Sequence, residues 1–455
     1  MLARVRRDEP GAYVPEDRRQ ALALGEDLPT RCSGAALFAD VSGFTALTEA
    51  LVGALGRRYG ADALTEVLDR VFDALLDRVR EWGGSTLYFS GDAVTCWFDG
   101  DDGSRALSCA HAVQDAVAQE GLVTAPGGGE VQLRVKVAVA VGHARRFLVG
   151  DPSLQLIDVL AGALLDRLAA AEQAARPGEV LLDPRAAAAL AARVRLGAPR
   201  PSGARPVEAL LVPAHPPALR PVPRLDPAVV RPWLLPPVLA RLADGGDLLA
   251  ELRPAVPVFV RFGGLDHDRD TAAQALDDFV VQVQRAFAAV GGNVLQLSVG
   301  DKGAYLYAVV GSPVAHEDAA ARACAAALEV VALEARGGVQ DIQVGVASGL
   351  TRSGTYGSAD RRTFCCLGAP VNLAARLMVS ALPGTVCVSE AVAQAAGDGF
   401  AWEGLEPARV KGMSDPVSRR RLVARRRRIR STTSGPLLGR AVELGRLLTR
   451  GSGAV

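Results

Sequence analysis

The sequence lacks the usual marks of a membrane protein, a nucleic-acid-binding protein or a disulfide-stapled secreted protein. No apolar run reaches the ~20 residues that a membrane-spanning helix needs, and no apolar segment follows the N-terminus MLARVRRDEP as in a signal peptide. The formal net charge is only +1, which gives no general attraction to nucleic acid or anionic lipid. The seven cysteines are irregularly spaced, which favours a reducing compartment. These absences predict a cytoplasmic protein without a membrane or nucleic-acid partner.

An internal repeat is the main positive feature. The chain has 455 residues, 49% of them hydrophobic, which indicates a globular protein of two or three domains. In the first half, the strand ALFADV precedes a helix ended by Gly-Gly and the hairpin STLYFSGDAVTCWF. The second half repeats this order with PVFVRFGG, a helix ended by Gly-Gly and NVLQLSVGDKGAYLYAVVG. We therefore predict two homologous domains packed as a pseudo-twofold pair.

Composition predicts the domain boundaries. Residues 1–29 are polar and predict an irregular lead-in, and residues 30–200 form the first domain. Proline becomes dense after residue 200, which argues against regular structure and predicts a linker over 201–254. The second domain is predicted over 255–424. Residues 425–455 form a further segment, whose run of arginines predicts a solvated linker.

Two carboxylates in the first copy are candidate metal ligands. Asp40 ends a strand, and Asp92 lies in the hairpin turn YFSGDAV. Two such carboxylates suit a hard divalent cation that also holds substrate phosphates. The alternative is that Asp40 caps a helix and Asp92 is a turn residue.

The same copy contains candidate phosphate-binding groups. The turn after Asp40 leads into a helix, and its backbone N–H groups could bind a phosphate; its residues are Val41, Ser42, Gly43, Phe44 and Thr45. Arg134 and Lys136 are two apart on one predicted strand, so they share a face and could reach a polyphosphate. The alternative is that both are solvated charges at a sheet edge.

The second copy supplies a different pair. Asn372 and Arg376 are four residues apart and share a helix face. Together they could hold the charge that develops on a ribose and a phosphate. The alternative is a buried Asn beside a surface Arg.

Three ordered motifs, ALFADVSGFTALTE, GGSTLYFSGDAV and CLGAPVNLAARLM, together resemble the signature of class III nucleotidyl cyclases. The resemblance covers roughly residues 33–200 and 255–424 and is strongest to the tandem, bicarbonate-responsive type of soluble adenylyl cyclase. It implies an α/β (α+β) fold with two ferredoxin-like βαββαβ domains paired within one chain, so a monomer is plausible. The tail PLLGRAVELGRLL is similar to the start of an ATPase-like region, although the sequence contains no P-loop motif.

The resemblance implies a division of labour between the copies. Asp40 and Asp92 match the metal-binding aspartates of the family, whereas the second copy has Phe262 at the first of these positions and Asp301 at the other. Asn372 and Arg376 match the transition-state residues. Their first-copy counterparts, counted from Asp158, are Leu165 and Ala169. One composite site, with a degenerate site at the twofold-related position, is therefore expected.

The family mechanism implies two Mg²⁺ or Mn²⁺ ions bridging Asp40 and Asp92. One ion would activate the ribose 3′-OH for attack on the α-phosphorus, and the other would bind the β- and γ-phosphates until pyrophosphate leaves. Asn372 would orient the ribose, and Arg376 would stabilise charge on the α-phosphate. Arg134, Lys136 and Lys411 would steady the terminal phosphates.

Base selection in the family depends on two positions, which here are Cys365 and either Gln296 or Leu297. Cys365 is typical of guanylyl cyclases, whereas Gln296 fits neither type and its amide can both donate and accept. Overall similarity favours ATP as substrate, with GTP or nucleotide sensing without turnover as alternatives. The bicarbonate-binding positions correspond to Tyr88 and to Arg167 or Leu168. Because the expected Lys is missing, bicarbonate stimulation is not predicted.

Overall fold

The computed structural model of the chain describes residues 9–124, 128–244, 251–300, 303–336, 338–409 and 416–426. Within these ranges the strands form two large sheets and one two-stranded ribbon. Four short 3₁₀ turns lie at Pro10–Tyr13, Arg231–Trp233, Leu333–Arg336 and Gly397–Gly399.

The first half contains ten strands and five helices among the residues described. The strands are β1 Arg31–Ser42, β2 Ser85–Ser90, β3 Ala93–Asp99, β4 Leu122–Thr124, β5 Glu130–Gln132, β6 Arg134–Val149, β7 Ile157–Ala161, β8 Val180–Leu182, β9 Val194–Leu196 and β10 Arg205–Leu210. The helices are α1 Glu16–Leu24, α2 Phe44–Glu81, α3 Ser104–Glu120, α4 Ala163–Ala174 and α5 Pro184–Ala189. Helix α2 is interrupted at Gly56, which has φ 77° and ψ 169°.

Two short helices, α6 Pro227–Val230 and α7 Pro236–Ala243, lead to the second half. Its strands are β11 Glu251–Gly263, β12 Asn293–Gly300, β13 Gly303–Val310, β14 Gln340–Val346, β15 Gly349–Gly357, β16 Arg362–Leu367, β17 Thr385–Ser389, β18 Phe400–Ala408 and β19 Val417–Arg425. Its helices are α8 Ala272–Ala288, α9 Ala319–Ala332, α10 Ala369–Ser380 and α11 Glu390–Ala396.

The two large sheets have the same topology. The first has the order β2-β3-β1-β6-β8-β10-β9, and the second has β12-β13-β11-β14-β17-β19-β18. In each, a strand, a helix, a hairpin, a second helix and a fourth strand make an antiparallel βαββαβ unit. The predicted fold class, two ferredoxin-like domains in one chain, is confirmed.

Each domain contributes side chains to the hydrophobic core of the other. Tyr356 of β15 lies in the hydrophobic core of the first domain, among residues such as Phe72 and Phe89. In the opposite direction, Phe147 and Val149 of β6 lie in the core of the second domain. Because each core needs residues from the other half, the two domains form one packed unit.

Two expectations from composition were wrong. The predicted linker contains β10, which pairs with β8 and β9 as part of the first sheet. Pro206 is tolerated there because it lies next to the start of the strand, where the missing N–H costs little. The predicted irregular lead-in contains α1, whose Arg18 lies 2.8 Å from the buried Asp158. This tertiary ion pair holds a short helix that periodicity alone does not indicate.

Candidate active site

Asp40 and Asp92 meet at one end of the first sheet. Asp40 lies opposite Ala93 in the β1–β3 ladder, so it faces the residue next to Asp92. The backbone N–H of Val41 donates to the carbonyl oxygen of Asp92 at 3.1 Å. Both carboxylates line the same cleft. Strand register alone therefore brings together two residues that are far apart in the sequence.

Lys136 lies opposite Asp40 on β6. Its ammonium nitrogen is 3.1 Å from Oδ2 of Asp40, and it also pairs with Glu172 of α4. Burial by itself would lower the pKa of Lys136, but the hydrogen bond to Glu172 and the charge of Asp40 raise this pKa above its usual value. Lys136 is therefore positively charged beside the carboxylates of Asp40 and Glu172.

The turn after Asp40 leaves only part of its backbone available to a phosphate. The Val41 N–H is already used in the hairpin contact, and Ser42 Oγ donates to the Arg134 carbonyl at 3.1 Å. Gly43 precedes the helix with φ 109°, a conformation that favours glycine. Residues 44 and 45 open α2, where the first backbone N–H groups have no partner within the helix.

Helix α10 presents the predicted transition-state pair. Asn372 is exposed and lines the cleft. Arg376 is half-buried one turn further along and has no hydrogen bond or ion pair to any residue that the structure describes. A guanidinium in this state can contact an anionic ligand without first breaking another pair.

The structure distinguishes the two candidates for base recognition on β12. Leu297 is 1% exposed and packs in the core of the second domain. Gln296 points to the opposite face and lines the cleft, where its Nε2 lies 2.9 Å from Ser90 Oγ of the first domain. Successive strand residues face opposite sides, so of the two candidates only Gln296 faces the cleft.

A cleft of about 260 Å³ brings together five of the predicted side chains. From the first domain it contains Asp40 and Asp92, and from the second it contains Gln296, Cys365 and Asn372. Three further predicted residues are not among those that line this cleft: Arg134, Lys136 and Arg376. Lys411 and Asp301 lie outside the described residues.

The helix starts correct the predicted first-copy counterparts by one residue. Gly162 precedes α4 and Gly368 precedes α10, both with positive φ and ψ 176°. Counting from these glycines places Asp166 at the position of Asn372 and Ala170 at that of Arg376. Leu165 and Ala169 instead face the shared cleft, as their counterparts Val371 and Ala375 do. The prediction that the first copy lacks the transition-state pair then applies to one position, because Ala170 cannot replace the guanidinium of Arg376.

At the twofold-related position a phenylalanine replaces the first aspartate, and Asp301, at the second, lies outside the described residues. Phe262 is buried and packs against Phe279 at 4.7 Å between ring centroids. Tyr88 and Leu168 line the cleft, whereas Arg167 turns away to bind Asp183 at 2.6 Å. The residues of an anion clamp are therefore not brought together here.

Sequence reasoning missed several polar residues of the site, among them Ser90, Glu172 and Tyr356. Ser90 could have been found from its place beside Asp92 in YFSGDAV. Glu172 and Tyr356 gave no local signal, because their roles depend on contacts with β6 and with the other domain.

The donor set suits a hard divalent cation. Two carboxylates converge, and no group of three or more His, Cys, Asp or Glu side chains that could hold a metal ion is found in the described ranges. Mg²⁺ commonly binds through one or two carboxylates and completes its shell with waters and substrate phosphates. The residues present thus fit such an ion.

Comparisons with known proteins agree with this geometry. Residues 270–421 match the adenylate and guanylate cyclase catalytic domain family. Adenylate cyclase type 10 of Homo sapiens is 26% identical over 78% of this chain and 24% of its own length. The Oryctolagus cuniculus protein of the same name is 26% identical over 82% of this chain and 25% of its own. The chain thus spans about a quarter of the length of these curated relatives.

A solved structure supports the tandem fold. The class III adenylyl cyclase-like ATP-binding protein from Pseudomonas aeruginosa aligns with a TM-score of 0.58 over 82% of this chain and 87% of its own, at 12% identity. The chain therefore shares the fold of this class III adenylyl cyclase-like protein. By sequence it resembles the soluble adenylate cyclases over most of its length. In the described part of the chain, every helix is too short or too polar to cross a membrane.

Proposed function

We propose that this chain converts ATP to 3′,5′-cyclic AMP and pyrophosphate at a single composite site between its two domains. The observation that carries the proposal is the cleft that joins Asp40 and Asp92 of the first domain to Asn372 of the second. The twofold-related position, with Phe262 and Ala170, lacks an equivalent set. One productive site per chain follows.

Each group of residues would have a separate task. Mg²⁺ or Mn²⁺ ions, two in the family mechanism, would lower the pKa of the ribose 3′-OH and neutralise phosphate charge when bound by Asp40 and Asp92. Asn372 would orient the ribose so that its 3′-oxygen approaches the α-phosphorus in line. Arg376 would stabilise the charge that builds on the α-phosphate.

Positive charge near the cleft would hold the terminal phosphates. Lys136 is already charged beside Asp40, and Arg134 is exposed two residues before it on the same strand. An ammonium or guanidinium group forms charge-assisted hydrogen bonds with phosphate oxygens. The leaving pyrophosphate would therefore be stabilised by the first domain.

A product assay tests the proposal. The protein is incubated with Mn²⁺ and either ATP or GTP, and any cyclic nucleotide is identified by mass. Cyclic AMP as the main product is expected. Cyclic GMP as the main product would support the alternative that Cys365 suggests, a guanylate cyclase.

Nucleotide binding without turnover is the second candidate, because the structural neighbour from Pseudomonas aeruginosa is described as an ATP-binding protein. Metal-dependent nucleotide binding without cyclic product would favour it.

A further inference from the structure

Glu172 places a carboxylate on the apolar face of α4. Leu165, Leu168 and Ala169 line the cleft, and Glu172 lines it one helical turn beyond Leu168. The Glu172 side chain is only 14% exposed. A carboxylate in such a place has lost much of its hydration, so it needs a compensating positive charge. That charge is the ammonium group of Lys136, which donates to Oε1 of Glu172.

The second copy has an apolar residue at the position equivalent to Glu172. Counted from the glycine that precedes each helix, Glu172 of α4 corresponds to Met378 of α10. Met378 is completely buried in a hydrophobic cluster. The first of the two proposed cation ligands is likewise replaced there, by Phe262. The carboxylate on the helix therefore occurs in the copy that keeps Asp40.

Lys136 bridges the carboxylates of Glu172 and Asp40. Its ammonium nitrogen lies 3.1 Å from Oδ2 of Asp40 and also pairs with Glu172, so one positive charge joins carboxylates from β1 and α4. A divalent cation and the ammonium group are both attracted to the oxygens of Asp40. A cation that binds Asp40 therefore has to compete with Lys136.

Glu172 changes the outcome of this competition. Asp40, Asp92 and Glu172 contribute three negative charges and Lys136 contributes one positive charge, which leaves a net charge of −2. Without Glu172 the net charge would be −1, and the ammonium group would keep its pair with Asp40. In a partly buried site, one unit of charge has a large effect on the attraction of a cation. Glu172 thus weakens the hold of Lys136 on Asp40.

We propose that Glu172 is a positioning residue of the cation site, which holds the Lys136 ammonium group so that Asp40 can bind a divalent cation. The proposal rests on the cation site that the proposed function assigns to Asp40 and Asp92. Glu172 acts through Lys136 and is not itself a ligand of the cation. As Asp40 turns to the cation, the ammonium group stays with Glu172.

Binding of Mn²⁺ to the full chain tests the proposal without turnover. The dissociation constant is measured in the absence of nucleotide from the electron paramagnetic resonance signal of free Mn²⁺. Glu172→Gln keeps the size of the side chain and removes its charge, so Lys136 should pair more tightly with Asp40. We expect the dissociation constant for Mn²⁺ to rise about three- to tenfold. An unchanged constant would overturn the proposal.

Glu179→Gln is the matched control. Glu179 also pairs with a cation of the first domain, Arg200 at 2.6 Å, and its side chain is partly buried. Glu179 is not among the residues that line the cleft, so this variant should leave the dissociation constant for Mn²⁺ unchanged. A rise as large as that in Glu172→Gln would show that loss of any such ion pair weakens cation binding, and would contradict the proposal.

A double-mutant cycle shows whether Glu172 acts through Lys136. In a Lys136→Met background there is no ammonium group to hold, so adding Glu172→Gln should change the dissociation constant by less than about twofold. A rise as large as in the wild-type background would show that Glu172 attracts the cation directly, and would overturn the proposal.

Lys136→Met by itself keeps the proposal testable if Glu172→Gln does not fold. This variant removes the group that competes with the cation for Asp40, so the dissociation constant for Mn²⁺ should fall. A rise or an unchanged constant would contradict the proposal.

Failure of the proposed function gives a different result. If the wild-type chain binds Mn²⁺ but forms no cyclic nucleotide, the cyclase proposal fails, and the comparison of dissociation constants still tests Glu172. If Mn²⁺ binds only with nucleotide, the same titrations are made with 3′-deoxy-ATP, which lacks the attacking hydroxyl, and the same rise is expected. Absence of Mn²⁺ binding under both conditions would overturn the role assigned to Glu172.

Discussion

The ammonium nitrogen of Lys136 lies 3.1 Å from Oδ2 of Asp40 on the neighbouring strand. A charged lysine thus sits where substrate phosphates and a divalent cation are proposed to bind. Because Asp40 and Lys136 pair directly in the β1–β6 ladder, their side chains leave the same face at the same height. The ion pair follows from the strand register, so it is present before any ligand binds.

The role of Lys136 is tested by Lys136→Met. If its ammonium group binds the terminal phosphates, its removal loses a charge-assisted hydrogen bond, and KM for the nucleotide should rise about tenfold or more. Steady-state kinetics at saturating Mn²⁺ measure this change, with Lys136→Arg expected to retain part of the affinity. An unchanged KM, with less metal needed for half-maximal rate, would mean that Lys136 serves only as counter-ion to Asp40.

If the two domains share one active site, a substitution of a site residue in either domain should lower turnover by a similar factor. Asp40→Asn removes a proposed metal ligand, and Arg376→Ala removes the proposed transition-state charge. Each should lower kcat by about 10²–10³-fold, as the loss of one transition-state electrostatic contact does. Asp278→Asn, on the exposed face of α8, should leave kcat unchanged. Wild-type turnover in either site variant would show that the domains do not share one site.

Substitutions of Gln296 should shift the preference between ATP and GTP in opposite directions. Glutamate accepts hydrogen bonds from the N1–H and amine of guanine and is repelled by the unprotonated N1 of adenine, whereas lysine donates to that nitrogen. Gln296→Glu should lower the ATP:GTP ratio of kcat/KM about tenfold, and Gln296→Lys should raise it. Competition assays with both nucleotides measure the two shifts. Shifts in the same direction would show that Gln296 does not contact the base edge.

The buried ion network under α1 predicts a defined loss of stability. Asp17 pairs with Arg146, which is 4% exposed and also contacts Asp158 at 3.2 Å. Asp17→Asn leaves the buried guanidinium with less compensating charge, which should cost about 3 kcal/mol of unfolding free energy. Urea denaturation at neutral pH measures it. Asp266→Asn, at an exposed pair 3.2 Å long, should change stability by less than about 1 kcal/mol.

The same pair predicts a pH dependence. Burial alone would raise the pKa of Asp17, but the charge of Arg146 and the hydrogen bonds from Arg146, Ser85 and the Arg18 N–H together outweigh it and lower this pKa below the usual 3.8. A depressed pKa in the folded state means that the stabilisation is complete above the unfolded value and is lost as the pH falls through the folded one. Wild-type stability should therefore decline more steeply below about pH 4 than that of Asp17→Asn. Parallel acid titrations of the two proteins would contradict this assignment.

Local patterns predicted the fold well because each element is repeated. The alternating strands, the Gly-Gly helix ends and the Gly-Asp hairpin turn recur in both halves, so the pattern in each half supports the secondary structure predicted for the other. The errors lie where long-range contacts decide. Helix α1 depends on the Arg18–Asp158 pair, and β10 depends on pairing with β8 and β9 despite Pro206.

The candidate site was predictable to the level of residue type and order, but not of geometry. Asp40, Asp92 and Asn372 follow from motifs, and the structure brings them to one cleft. The choice between Gln296 and Leu297 could not be made by counting, because a one-residue shift on a strand exchanges its two faces. The first-copy counterparts of Asn372 and Arg376 likewise lie one residue beyond the positions that counting predicts, as the starts of α4 and α10 show.

The repeat and the unequal distribution of charged residues between the copies follow from local periodicity and residue identity, and the class of fold follows from the resemblance of three motifs to class III nucleotidyl cyclases. The tertiary structure alone shows that Lys136 faces Asp40, that Asp158 is held by Arg18, and that Tyr356 crosses into the other domain to meet Gly91. Each of these contacts joins segments far apart along the chain. Hydrogen-bond direction and ion pairing depend on distances of a few ångströms, and those distances are set by how the two sheets pack.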